Sequence, residues 1–154
     1  MSKKQEIIDE LKEIYDGEPW HADNLMEILD GISAEQAGKR PVPEAHSVWE
    51  LVGHIAGWND VWATRLGGKD ILDPPGGDFP VSGADDEAWN GALSELERSH
   101  RDLISKIETV RDEDMSREFL TKGYTLAFFL EGIVRHNVYH AGQIAILKKG
   151  LLQD

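Results

Sequence analysis

The sequence predicts an all-α protein, a four-helix bundle with a long crossover loop between its second and third helices. Apolar residues recur at intervals of three and four along four separate segments. One stretch, residues 68–83, is rich in proline and glycine and is the least regular part of the chain. Strands are hard to place anywhere, and a bundle with one long connection fits this pattern. At 154 residues the chain suits one domain with a sizeable core. Residues 1–154 are read as a single domain because neither side of the irregular stretch is self-sufficient.

The first helix begins after Ser2 and carries Ile7, Ile8, Leu11 and Ile14. Gly17 and Pro19 interrupt it, and Pro19 suits the first turn of a restarted helix. That second part places His21, Leu25, Ile28 and Leu29 on one stripe and ends at Gly31. A loop with Pro41 and Pro43 leads to Ser47-Val-Trp-Glu50, a capping box that opens the second helix. Its stripe is Leu51, Ile55, Trp58, Trp62 and Leu66, and Gly67-Gly68 stops it. The third helix starts among Asp85, Asp86 and Glu87, which favour a helix N-terminus. It carries Trp89, Ala92, Leu93, Leu96, Leu103, Ile107 and Val110. Residues 111–124 are polar and ambiguous. The fourth helix runs from about Thr125 to Lys149, with Lys148 and Lys149 at its negative end and Gly150 as its cap.

A net charge of −13 repels phosphate backbones and anionic lipid, and no basic cluster overrides it. Nucleic-acid and membrane partners are therefore not expected. The absence of cysteine excludes disulfides, thiolate metal ligands and a cysteine nucleophile. A transition metal would need histidine and carboxylate ligands. The N-terminal segment lacks a signal-peptide apolar core, and no run of about 18 apolar residues occurs. The expected compartment is the cytoplasm.

Three of the six histidines carry the chemistry. His136 and His140 lie four apart in EGIVRHNVYHAGQIAILKK, on a face shared with Phe129, Ile133, Ile144 and Leu147. His54, in WELVGHIAGW, lies at the edge of the second helix's stripe near Trp58 and Val61. An uncompensated polar group in a core costs about 1–3 kcal/mol. One divalent ion would satisfy three imidazoles and leave a coordination position open. Ordinary hydrogen bonds could satisfy them too, and position 137 is Asn137, so the metalloprotease spacing with glutamate is absent. From spacing alone the two readings stand level.

Three segments, PWHADNLMEIL at 19–29, AHSVWELVGHIAGWNDVWATRLGGK at 45–69 and VRHNVYHAGQIAILKK at 134–149, carry a family resemblance. The chain resembles the DinB-like (YfiT-like) superfamily of four-helix bundles, which is unrelated to the DNA polymerase of similar name. The resemblance implies a divalent metal on His54, His136 and His140, and imidazole ligands suit zinc, nickel, iron or cobalt. It also implies a small-molecule substrate. Some such proteins are transferases or isomerases using low-molecular-weight thiols such as bacillithiol or mycothiol; others are labelled metal-dependent hydrolases. No second C-terminal domain is evident, so a two-domain mycothiol-dependent isomerase is not expected. The expected function is a metal-dependent transferase with a low-molecular-weight thiol cosubstrate, with metal-activated thiolate or water as nucleophile. The alternatives are a metal-dependent hydrolase, or a non-catalytic metal-binding or dimerising protein. Such bundles often pair, so a homodimer is expected.

Other residues support or compete with this reading. His21 could be a fourth ligand, a substrate contact or a satisfied histidine at a helix start. Trp20, Trp58 and Trp62 could wall a pocket or fill the core. Gln143, one turn after His140, could orient a bound water. His100 is expected to be partly exposed and His46 to serve local structure. Trp49, beside Gly53 and Ala56, marks a second face for another helix or a second subunit. Residues 68–83 either cover the pocket or simply connect helices. No G-x-S-x-G elbow occurs, and the glycine pairs lack the lysine of a phosphate loop.

Overall fold

The computed structural model describes residues 1–152. Its helices are α1 (Lys3–Asp16), α2 (Leu25–Leu29), α3 (Ala34–Gly38), α4 (Val48–Leu66), α5 (Asp86–Glu108) and α6 (Leu126–Leu151). The four long helices pack in a ring, α1 on α6, α6 on α4, α4 on α5 and α5 on α1. Short α2 and α3 lie against α1/α6 and α4/α5 respectively. Among the described residues no strand forms, only an isolated antiparallel bridge between Glu118 and Thr125. No described helix is long and apolar enough to cross a membrane.

The starts of these helices are set by side-chain caps. Ser2, Asn24, Ser33, Ser47, Asp85 and Thr125 each accept a hydrogen bond from a free amide of the following helix. The Ser47–Glu50 capping box opens α4 where expected. Pro19, however, does not restart a helix. Asn24 and Glu27 form a reciprocal capping box, and Asn24 Nδ2 also donates to the Gly17 carbonyl at 2.8 Å. These bonds fix the start of α2 five residues later, so residues 19–23 form a turn. Helix α3 was not expected; it rests on a Ser33–Gln36 capping box and buried Ala34 and Ala37.

The fourth helix also departs from expectation at its end. It continues through Gly150 to Leu151. A Cβ on Gly150 would stand 3.0 Å from Pro41 Cβ, so the glycine admits a neighbouring loop and does not end the helix. Lys148 donates to the Asp30 carbonyl at 2.7 Å and thereby caps α2, not its own helix.

The core falls into two clusters. One holds Leu25, Trp49, Val52, Trp89, Ile144 and Leu147 among others. The other includes Ile7, Ile8, Val61, Leu103, Leu130 and Ile133. Along α6 the second cluster gives way to the first between Ile133 and Ala141, and along α4 the change falls between Ala56 and Val61. His136 and His140 sit within this junction on α6, and His54 lies just before it on α4.

Trp49 is 1% exposed and tilts against Trp89 of α5, with ring centroids 5.2 Å apart. Its face is thus filled within the chain and is not left for a second subunit. The crossover between α4 and α5 lies on the same helix. A Cβ on Gly53 would stand 2.5 Å from the Pro80 carbonyl oxygen, and one on Gly57 3.1 Å from Pro74 Cβ. The loop therefore does more than connect helices: its prolines lie directly on α4.

Candidate metal centre

α4 and α6 are neighbours in the ring, and each turns its histidines toward the other. His54 is 6% and His140 7% exposed, and His136 is half-buried. His54 Nε2 lies 3.0 Å from His136 Nε2, and His140 Nε2 lies 3.1 Å from the same atom. One nitrogen from each of the three rings lies within 4.8 Å of the other two, which is the spacing of a shared ion. The structure thus brings His54, His136 and His140 together as one group that could hold a metal.

The opposite ring nitrogens decide the proton positions. His54 Nδ1 lies 2.9 Å from the Asp78 carbonyl oxygen and 3.0 Å from Asp78 Oδ1. A carbonyl only accepts, so Nδ1 carries the proton and Nε2 presents a bare lone pair. His140 Nδ1 donates in the same way to Gln143 Oε1 at 2.6 Å. Both lone pairs point at His136 Nε2, which in the neutral ring has at most one proton to offer. His136 Nδ1 is buried without a partner. Without a cation, the cluster leaves lone pairs facing one another in a site with few alternative donors. A divalent ion among the three Nε2 atoms removes that conflict, and the donor set suits zinc, nickel, iron or cobalt.

Electrostatics keeps the two rings of α6 in the ligand form. Burial pushes His136 down to about 3, helped by the neighbouring His140 and His54. Burial also lowers His140, against an opposing effect of its bond to Gln143. Both are neutral near pH 7, as metal ligation requires.

Aromatic rings fix the orientation of the imidazoles. Phe79 from the crossover is sandwiched between His46, 3.5 Å away, and His54, 4.3 Å away, both nearly parallel to it. Trp62 stands edge-on to His136 at 4.8 Å, and Tyr139 edge-on to His140 at 5.0 Å. Trp58 lies 6.3 Å from His54 and donates its Nε1 proton to Asp78 Oδ1 at 2.7 Å. Trp58 and Trp62 therefore belong to the site's surroundings. Trp20 does not: it is 99% exposed. His21 is also exposed and is not part of the three-histidine group, because α2 starts at Leu25, capped by Asn24, and leaves His21 in the preceding turn. Gln143 bonds directly to the His140 ring.

Sequence reasoning missed Asp78 and Phe79. Both lie in the crossover, where no periodicity marks a residue as facing the core. A groove of about 760 Å³ lined by Trp49, Gly57, Pro74 and Ala88 also lies between the crossover, α4 and α5. None of the three histidines lines it, so its size gives it no claim to the chemistry.

A family model described as the DinB superfamily matches residues 20–144. That span contains all three histidines and the whole crossover. Comparison with curated proteins and with solved structures returned no match.

Proposed function

We propose that this chain, which belongs to the DinB superfamily, binds one divalent transition metal through His54, His136 and His140. We further propose that it is a transferase using a low-molecular-weight thiol as cosubstrate. The observation that carries the metal reading is the convergence of three Nε2 atoms, two of them with their Nδ1 protons already donated elsewhere. A divalent ion held there supplies Lewis acidity that lowers the pKa of a thiol or a water. The chain's own residues hold the ligands neutral and aim them. Trp62, Phe79 and Tyr139 pack around the rings.

Three ligands leave a coordination position free, and no fourth His, Asp or Glu joins the group among the described residues. That favours chemistry over a closed structural site. The chain has no cysteine, so a sulfur nucleophile must arrive on a cosubstrate. Hydrolysis is the alternative use of the same site, and metal binding without turnover is the other. A homodimer is also part of the reading. Its support is the exposed stripe of Phe128, Tyr139 and Ile146 on α6, and sedimentation of the metal-loaded protein tests it.

The first experiment is metal analysis by mass spectrometry on protein purified without chelator or nickel affinity resin. One metal per chain in wild type, lost in His54→Ala and in His136→Ala, is expected. No metal in wild type after reconstitution with zinc, nickel, iron and cobalt refutes the reading. Thiol–electrophile assays on the loaded protein then separate the activities. Consumption of thiol supports transfer, hydrolysis without thiol supports the alternative, and silence with every thiol and ester leaves metal binding alone.

A further inference from the structure

We propose that Asp78 is a positioning residue for the three-histidine centre: it holds His54 as the Nδ1–H tautomer and raises the basicity of Nε2 toward a divalent ion. This rests on the metal-binding reading above. Asp78 meets His54 Nδ1 twice: its carbonyl oxygen accepts the hydrogen bond at 2.9 Å, and its Oδ1 lies 3.0 Å away. Oδ1 is itself held by Trp58 Nε1 at 2.7 Å. His54 and Trp58 are one turn apart on α4, so a single carboxylate oxygen ties the loop to two successive positions of the same helix face.

The backbone around Asp78 is seated as firmly. Pro80, two residues on, lies on Gly53, and Pro74 on Gly57. Phe79 stacks on the His54 ring itself. The crossover thus grips α4 on both sides of His54 and holds the Asp78 backbone beside the ring, while the carboxylate itself stays 54% exposed.

The three ligands differ in what stands behind them. His54 has a carboxylate and a carbonyl, His140 has the neutral amide of Gln143, and His136 Nδ1 has no partner. A carboxylate behind a metal-bound imidazole fixes its tautomer and strengthens its donation; loss of such a group weakens metal binding roughly 10–100-fold. His54 is therefore the ligand best prepared for the ion, and the crossover is what prepares it.

The test compares full-length wild type, Asp78→Asn and Asp78→Ala. Zinc affinity is measured by competition with a chromophoric chelator. The His54 tautomer is read in the metal-free proteins by long-range proton–nitrogen NMR. Wild type is expected to show His54 protonated on Nδ1. Asp78→Asn keeps an acceptor but loses the charge, so it should retain the tautomer with a smaller loss of affinity. Asp78→Ala keeps the backbone carbonyl that accepts from His54 Nδ1, so it should keep the Nδ1–H tautomer yet bind zinc roughly 10–100-fold more weakly, with unchanged helical circular dichroism. Equal zinc affinity in wild type and Asp78→Ala overturns the proposal alone. An Nε2-protonated His54 in wild type does the same. A wild type that takes up no zinc overturns the metal reading and the proposal together.

Discussion

Substituting Gly53 by alanine tests whether the crossover really bears on the helix that carries His54. The new Cβ would lie 2.5 Å from the Pro80 carbonyl oxygen, 3.0 Å from its Cγ and 3.3 Å from its Cδ. Ordinary contact begins near 3.4 Å, so the loop must retreat by about 0.9 Å, and the obstacle includes backbone. Asp78 is two residues from Pro80, and its carbonyl and carboxylate contacts to His54 are 2.9 and 3.0 Å long. A retreat of that size carries both beyond about 3.5 Å, where they cease to be hydrogen bonds. Two opposing magnitudes then meet. Alanine is better than glycine inside a helix by about 1 kcal/mol, whereas forcing atoms into a packed site costs about 1–3 kcal/mol. Close approach should win, giving a net loss of up to about 2 kcal/mol. Zinc affinity should fall within the range of roughly 10–100-fold that follows loss of a ligand's supporting bond. Urea unfolding and chelator competition measure the two effects. Gly57→Ala is the matched control, because its 3.1 Å contact is to the side chain of Pro74, which can give a few tenths of an ångström. A Gly53→Ala protein that is more stable than wild type and binds zinc as tightly would refute the reasoning.

Metal binding should appear in stability as well as in content. Zinc at a hundred times its dissociation constant should stabilise wild type by about 2.7 kcal/mol, roughly 5–10 °C in Tm for a domain of this size. His136→Ala should show no such shift, and chelator should reverse it in wild type. His100 predicts acid sensitivity away from the metal. It stacks on Tyr15 at 4.1 Å, and burial pushes it down from 6.5 to about 4, with Asp16 opposing and Lys12 assisting. Its folded-state pKa is depressed, so its contribution is complete above about pH 6.5 and is lost as pH falls toward 4. Between pH 7 and pH 5 the loss is about 2 kcal/mol. His100→Phe keeps a ring against Tyr15 without titrating, so its urea midpoint should fall less over that interval; an equal fall would count against the assignment. Asn24→Ala removes the α2 cap and the bond to the Gly17 carbonyl. It should cost about 0.5–2 kcal/mol without altering zinc affinity, and a large change in affinity would show that α2 is coupled to the site.

Much of the fold was legible because period and caps agree. Ile7, Leu11 and Ile14, or Leu51, Ile55 and Trp62, lie on single stripes and are buried as such. Ser47 and Glu50 state where α4 begins. The errors arose where two local signals competed. Pro19 suits a first helical turn, yet Asn24 followed by Glu27 is also a helix start, and the bond from Asn24 to Gly17 settled the matter through a contact that sequence spacing does not display. Trp49 could have faced a second subunit; Trp89, 40 residues away in the chain, fills that space. Gly150 looked like a terminator because its role depends on Pro41, more than a hundred residues earlier.

The candidate site divides along the same line. His136 and His140 share a face by helical arithmetic alone, whereas their meeting with His54 depends on α4 and α6 being neighbours. Asp78 could not be chosen from Asp70 and Asp73 in the same loop, since irregular backbone has no period that assigns faces. A signal was nevertheless present on the helix side. Gly53 and Gly57 lie four apart inside α4, and glycine within a helix costs about 0.5–1 kcal/mol relative to alanine. Two such costs on one face indicate that something lies close against it. The following loop, with its prolines at 74, 75 and 80, is the nearest segment able to do so. Both contacts occur, and between them the chain has room for Asp78 to reach the ring of His54. The glycines therefore bear on the three-histidine site without touching it: they let the crossover close enough for its carboxylate to stand behind the ring of His54.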